Sequence, residues 1–400
     1  MATSVNMTPM STIAEKTPTS PIRVPAGLKG VAVTDTEIGD VRGLEGFYHY
    51  RQYSATDLAS QRSLEDVWQL LLDGHLPVDA ASRSGFAAEV RDARSLPAEV
   101  ADLLPAIAAA TPEAGSLGGL RTALSALGSA VGMRPLWDLD ADARRRDLIR
   151  LAAATPTLVA ALHRLGASET PVNPDPDLGH VANYLWMVTG RRPDAELARA
   201  LEQYLILTVD HGFNSSTFTA RVITSTGADA AAAVVGAIGA LSGPLHGGAP
   251  SRALDTLDAI GTPDRAEAFI RDSVGRGERI MGFGHAVYRT DDPRSVMLRQ
   301  VAQTLGGDLV DLAVQVEQTV VAVLAELKPG HPLYANVEFY AGVVMDRCGL
   351  PRHLFTPTFA ISRVIGWCAN IAEQAEERRL IRPAAHYVGP PPPEPVPAGF

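Results

Sequence analysis

The run ADAAAAVVGAIGALSGPLHGG, residues 228–248, decides the fold. From Ala228 to Leu241 it is apolar or small on every side, which makes a helix without a polar face. Such a helix belongs in the middle of a domain or at a subunit interface. Ser242-Gly243-Pro244 stops it, and His246 follows, flanked by the Gly247-Gly248 pair. Outward from there, apolar residues recur at helical spacing over 195–210, 266–276, 293–305, 309–327, 339–348 and 359–375. Upstream, Ser63 caps a helix with Glu65 and Asp66 in its first turn and Val67, Leu70 and Leu71 on its apolar face; Gly74 and Pro77 end it. Between 82 and 165 the helical spacing persists, with Pro97, Pro105, Pro112, Pro135 and Pro156 read as breaks in a stack of short helices. One or two short strands are expected around Val31, Val33 and Ile38, and nowhere else. The fold class is mainly α, with no internal repeat.

Composition narrows the function classes. Hydrophobic residues are 46% and charged residues 20%, enough for a sizeable core. A net charge of −10 argues against a nucleic-acid binder, although it leaves room for a local cationic pocket. Two cysteines, Cys348 and Cys368, cannot make a disulfide framework or a four-thiolate metal site, and are expected to be free thiols. None of the ten histidines falls in HExxH or similar ligand spacing, so no metal is expected. No apolar run approaches the ~20 residues of a membrane span. Residues 1–25 are rich in Ser, Thr and Pro without the apolar segment of a secretory signal, and read as a disordered leader on a cytoplasmic protein. The tail PPPPEPVPAGF, from Pro390, reads as polyproline-like and disordered.

Four segments set polar residues beside glycines or at helix ends, where a backbone can approach a ligand closely. They are Asp210-His211-Gly212-Phe213-Asn214, the Ser242 to Gly248 stretch, Gly282-Phe283-Gly284-His285 with Tyr288, Arg289, Asp292, Pro293 and Arg294, and Asn336-Val337-Glu338-Phe339. Singly, each has a plain reading: a histidine can cap a helix, Arg294 can form a surface ion pair of little worth, and Glu338 can favour a helix dipole.

Together, SGPLHGGAP, GFGHAVYRTDDPR, NVEFYAGVV, SRVIGW and RLIRP, in this order, resemble the citrate synthase family. The likeness runs from Gly27-Leu28-Lys29-Gly30-Val31 to near Tyr387, is faintest over 80–170, and is nearest to the shorter, Glu-bearing citrate synthases of actinobacteria. It implies a two-domain helical homodimer: a large domain of residues 26–250 and 356–388, and a small closing domain of 251–355, before a Pro-rich tail over 389–400. The implied reaction condenses oxaloacetate with acetyl-CoA, a co-substrate, and needs no cofactor. 2-Methylcitrate synthesis from propionyl-CoA, and a non-catalytic binder of dicarboxylates or CoA, are the alternatives.

By resemblance His246, His285 and Glu338 are catalytic: Glu338 the base that enolises the acyl donor, His246 the donor to its oxygen, His285 the polariser of the oxaloacetate carbonyl. The resemblance gives oxaloacetate His211, His246, His285, Arg294, Arg363 and Arg382, with Arg382 reaching across from the partner subunit. Arginine suits this because its planar fork pairs with carboxylates and stays charged. Arg289 lies where a CoA phosphate contact is common, and Gly247 and Gly248 would let the thioester approach the backbone. Most of the family has Asp where this chain has Glu338, and Gly where it has Gln52. The extra methylene of Glu338 moves a carboxylate by ~1.5 Å, where ~1 Å can cost ~100-fold in rate. Closure of the small domain is expected to assemble the site and exclude water.

Overall fold

A computed structural model describes residues 22–111, 113, 115–244, 246, 250–285, 287–330 and 333–397. These residues divide into two compact units. One contains the terminal segments 22–35 and 381–397, whose only regular element is a 3-10 turn at Ala26–Leu28. The other is Thr36–Leu380.

The larger unit opens with a small antiparallel sheet of β1 (Gly39–Arg42), β2 (Phe47–Tyr50) and β3 (Tyr53–Ser54), in register Arg42 with Phe47 and Tyr50 with Tyr53. The strands therefore lie beyond Val31 and Val33, where they were expected. The reason is the period-two pattern of β2, which turns Tyr48 and Tyr50 inward at 2% and 0% exposure. Val33, by contrast, is exposed.

Helices make up the rest: α1 (Ala55–Gln61), α2 (Leu64–Asp73), α3 (Ala80–Asp92), α4 (Ala98–Ala110), α5 (Leu117–Ala130), α6 (Ala141–Gly166), α7 (His180–Thr189) and α8 (Ala195–Thr208). They continue with α9 (Ser215–Thr224), α10 (Ala230–Leu241), α11 (Pro250–Ile260), α12 (Pro263–Gly275), α13 (Pro293–Leu305), α14 (Asp308–Leu327), α15 (Val337–Arg347) and α16 (Phe355–Glu377). Ser63 does cap α2, its side chain accepting from the Asp66 amide, and Gly74 ends it in the left-handed region. Two expected breaks are absent. Pro105 sits inside α4 on an exposed face, where water can satisfy the carbonyl one turn back. Pro156 is buried inside the 26-residue α6. A proline there costs about 3 kcal/mol, which the packing of α6 against α4, α5, α7 and α16 outweighs.

One continuous apolar core runs through the unit, and α16 is buried along most of its length. In α10, Ala230, Val234, Ala237, Ile238 and Leu241 face this core. Its other face, Ala232, Val235, Gly236, Gly239 and Ala240, stays partly exposed in the single chain. Cys348 and Cys368 are free and buried. No helix among the described residues is long and apolar enough to cross a membrane.

Candidate active site

The site begins where α8 ends. Tyr50 donates to the carbonyls of Ile206 (2.8 Å) and Asp210 (3.2 Å), and Tyr48 to that of Leu207 (3.0 Å), so β2 pins the helix terminus. Helix α16 crosses against Val209 at Gly366, where a Cβ would run into the Val209 carbonyl. The Asp210 carboxylate accepts from the Gly212 amide (2.9 Å) and Asn370 (3.2 Å), which turns the chain and projects His211. The His211 ring packs against Tyr48 and His285, and its Nε2 lies 3.1 Å from the Tyr288 hydroxyl. Burial, reinforced by Arg294, holds its pKa well below the ordinary range.

Asn214 caps α9, accepting from the amides of Ser216 and Thr217 (3.1 Å each) and from the Ser216 hydroxyl (2.7 Å). Ser216 Oγ also lies 2.8 Å from His246 Nε2 and accepts from the Trp367 indole N–H at 3.2 Å. The imidazole is thus held by one residue of α9 that α16 braces. Burial and Arg363 depress His246 to a pKa of about 4. Gly247 and Gly248 lie outside the described residues.

The 282–294 loop is fastened to the strand-like stretch before α15. The Gly284 amide donates to Tyr334 O (2.9 Å), the Asn336 amide to Gly282 O (2.8 Å), and Asn336 Nδ2 to Gly284 O (2.9 Å). Amides of Val287 (2.9 Å) and Tyr288 (3.1 Å) both donate to His285 Nδ1. That nitrogen therefore carries a lone pair, and the neutral ring must carry its proton on Nε2. Burial and then Arg294 depress its pKa to about 4, so the ring is neutral at pH 7. His285 Nε2 sits 3.1 Å from Arg294 Nη2. Two N–H donors side by side in this way can both point at one acceptor in front of them, such as a carbonyl oxygen.

Arg294 and Asp292 form an ion pair, but a buried one, at 4% and 2% exposure, unlike the surface pair the spacing alone suggests. Nε to Oδ1 is 2.9 Å and Nη2 to Oδ2 is 2.8 Å. Arg363, equally buried, donates Nε to the Thr208 carbonyl (2.9 Å) and lies over the Phe359 ring at 4.6 Å. It makes no salt bridge among the described residues. Glu338 stands in the first turn of α15, its amide bonded to Asn336 Oδ1 at 3.0 Å. Burial lifts its pKa to about 7 against the pull of Arg294, with Asp292 adding to the rise.

These groups share one cavity of about 310 Å³: His211, His246, His285, Arg294, Glu338 and Arg363, with Tyr204 and Thr208 from α8. Arg289 is exposed, donates to the carbonyls of His285 and Tyr288, and lines an adjoining cavity of about 450 Å³ that meets the first at Gly284 and His285. Arg382 belongs to the unit of terminal segments and is exposed. A larger cavity of about 740 Å³ between α3 and α6 mixes acids with Arg145, Arg146 and Arg150 and contains none of the candidate residues. Sequence reasoning passed over Ser216, although the Asn214-Ser215-Ser216 run directly after the first polar segment was a usable signal.

A family model described as citrate synthase, C-terminal domain, matches residues 27–384. The citrate synthase of Deinococcus radiodurans is 37% identical over 365 residues, 91% of this chain and 95% of that one. “Putative citrate synthase 2” of Mycobacterium tuberculosis is 38% identical over 377 residues, 92% of this chain and 94% of its own. Among solved structures, the citrate synthase of Thermotoga maritima superposes with a TM-score of 0.80 at 34% identity, covering 93% of this chain and 97% of that one. The Thermoplasma acidophilum citrate synthase, solved as a ternary complex with carboxymethyl coenzyme A and oxaloacetate, gives 0.84 at 28% identity over 94% and 98% of the two chains.

Proposed function

Because the chain belongs to the citrate synthase family, we propose that it condenses oxaloacetate with acetyl-CoA and water to give citrate and free CoA. The observation that carries this reading is the single cavity where three neutral histidines and two buried arginines surround a carboxylate whose pKa is about 7. The Thermoplasma acidophilum protein, a ternary complex with carboxymethyl coenzyme A and oxaloacetate, supports the same pair of ligands here.

In this reading Arg294 and Arg363 bind the carboxylates of oxaloacetate, with His211 adding a hydrogen bond. The Nε2–H of His285 and a guanidinium N–H of Arg294 converge on the keto oxygen and stabilise the alkoxide as it forms. Glu338 removes a methyl proton from the acyl donor, and a base poised near the working pH suits that step. In this step the Ser216 hydroxyl turns its proton from Asn214 to His246 Nε2, which puts the ring's own proton on Nδ1; His246 then donates from Nδ1 to the thioester oxygen, so the carbon nucleophile is an enol. Its bond to the keto carbon gives citryl-CoA, and water then cleaves the thioester to citrate and CoA. Arg289, exposed beside the adjoining cavity, is proposed to meet a CoA phosphate.

The assembly proposed is a homodimer, with Arg382 supplied by one protomer to the other's site. The partly exposed, small-residue face of α10 supports an interface there. Residues 251–355 are proposed to close over bound oxaloacetate, since His285, Arg294 and Glu338 come from that segment while His211 and Arg363 do not. Small-angle scattering with and without oxaloacetate tests both points: a monomer-sized particle sinks the dimer, and identical profiles at saturating ligand sink closure.

The decisive assay is release of free CoA thiol with oxaloacetate and, separately, acetyl-CoA and propionyl-CoA. Turnover with acetyl-CoA is expected. One methylene is worth only about 1–3 kcal/mol of discrimination, so some propionyl-CoA activity is expected as well. Binding of oxaloacetate without thiol release from either donor would overturn the reading.

A further inference from the structure

Asp292 carries more than the pairing of one arginine. Its carboxylate, 2% exposed, accepts four hydrogen bonds from two elements. Three come from Arg294: the amide (3.0 Å) and Nε (2.9 Å) to Oδ1, and Nη2 (2.8 Å) to Oδ2. The fourth comes from the amide of Val337, 3.1 Å from Oδ2. Val337 is the first residue of α15, and its neighbour in the chain is Glu338. One acid thus caps α13, fixes the fork of Arg294 against its own oxygens, and takes up an otherwise unpaired N–H at the start of α15.

We infer that Asp292 is a positioning residue that fastens the oxaloacetate-binding arginine to the helix bearing the general base, so that the two substrates' binding groups stay in register. This rests on the functional reading above. The registry matters because the reacting carbons must meet to within a fraction of an ångström, and a displacement of ~1 Å can cost ~100-fold in rate. Helix α13 packs against α15, and Asn336 ties the start of α15 to the Gly284 backbone; Asp292 adds the hydrogen-bonded link that joins Arg294 itself to the first turn of α15.

The same carboxylate sets the charge around the base. Glu338 shares the cavity with Arg294, which Asp292 backs from outside the cavity lining, and with Tyr204 from α8, Arg363 from α16, and His211, His246 and His285 from the loops. All three histidines are held neutral near pH 7. Removing the charge of Asp292 leaves Arg294 uncompensated beside Glu338 and favours the ionised base. The acid limb of the kcat profile should then move to lower pH.

The test compares Asp292→Asn, Asp292→Glu and Val337→Pro with the unmodified full-length protein. Asp292→Asn keeps the shape but puts an NH2 against the donors on Oδ2. It is expected to lower kcat about 100-fold and to shift the acid limb down by roughly half a pH unit or more. Asp292→Glu retains the charge and should keep the limb in place while kcat falls. Val337→Pro removes the α15 N–H at a first-turn position where proline is tolerated, and Val337→Ala, which keeps that N–H, controls for the change of the buried side chain. Val337→Pro should lower kcat about ten-fold, within the range of a sub-ångström displacement, and leave KM for oxaloacetate nearly unchanged, because Arg294 is still held. An unmoved acid limb in Asp292→Asn, or full kcat in Val337→Pro, overturns the inference. If Asp292→Asn does not fold, Val337→Pro decides alone. If the unmodified protein releases no thiol, the functional reading fails separately. Calorimetric oxaloacetate binding then decides: an affinity at least ten-fold weaker in Asp292→Asn supports the inference, and an unchanged affinity overturns it.

Discussion

Two buried arginines face the same cavity from different elements, and their surroundings are opposite. Arg294, at the start of α13, is matched by a carboxylate two residues away, and that pairing, acting against burial, raises its pKa. Arg363, midway along α16, has a carbonyl and an aromatic ring for company; burial lowers its pKa, and Asp210 opposes this only from a distance. The first cation is neutralised before any ligand arrives. The second keeps its charge available for a ligand and holds it in a costly place until one binds. A site for a doubly charged acid benefits from both: a fixed donor array and an unsatisfied charge.

The largest expected effect breaks the contrast directly. Arg294→Leu should abolish turnover and destabilise the fold by about 3–5 kcal/mol, because Asp292 is left buried without its partner. Arg363→Leu should cost comparable activity while leaving stability unchanged or higher in the absence of ligand, because it removes a buried charge that no carboxylate pairs. Urea unfolding of the two variants, read beside the thiol-release rate, checks this. Equal losses of stability would show that the two arginines are not different in kind.

Glu338 sharpens the comparison, since it is partly buried close to the paired arginine. Its amide is tied to Asn336 and its backbone neighbour to Asp292, which fixes the start of α15. Glu338→Asp is therefore expected to lower kcat by about 100-fold, as a retreat of ~1.5 Å would. A gain of about an order of magnitude would show instead that the extra methylene is a handicap.

The smallest effect concerns a buried group with no partner at all. His180 is 1% exposed, neither ring nitrogen has a hydrogen bond among the described residues, and it packs against Trp68. Burial, then Arg94, holds its pKa well below the ordinary value. An unfolded histidine takes up a proton near pH 6.5 while this one does not, so its contribution is present above that pH and lost as pH falls below it. The slope from this residue is at most about 1.4 kcal/mol per pH unit. Replacement by His180→Phe should flatten the acid side of the urea-midpoint profile between pH 5 and 6.5 by up to that much. An identical profile in the variant would remove His180 from the account.

Much of this was legible in the chain itself. The apolar run of 228–241 became α10, Ser63 capped its helix, and the 293–305 and 309–327 spacings gave helices within a residue of their expected bounds. Pro105 and Pro156 misled because a proline's local cost was weighed without the packing or solvent that offsets it. The strands were misplaced because Tyr48 and Tyr50 declare their inward face only once α8 is there to receive their hydroxyls. Each of the four polar segments contributes to one cavity, although Arg289 of the third lines the adjoining one and Gly247 and Gly248 of the second lie outside the described residues; Arg382, from outside these segments, belongs to the other unit.

Sequence alone determined the mainly helical class and the set of residues worth watching, because both follow from periodicity and from ordered local motifs. Tertiary structure decided what those residues are electrically. Whether Arg294 is a surface ion pair or a buried one, and whether Glu338 is an ordinary acid or one pushed up to about 7, depends on burial and on partners brought from elsewhere in the chain. Charge interactions are set by distance and solvent, and neither is written in the order of residues.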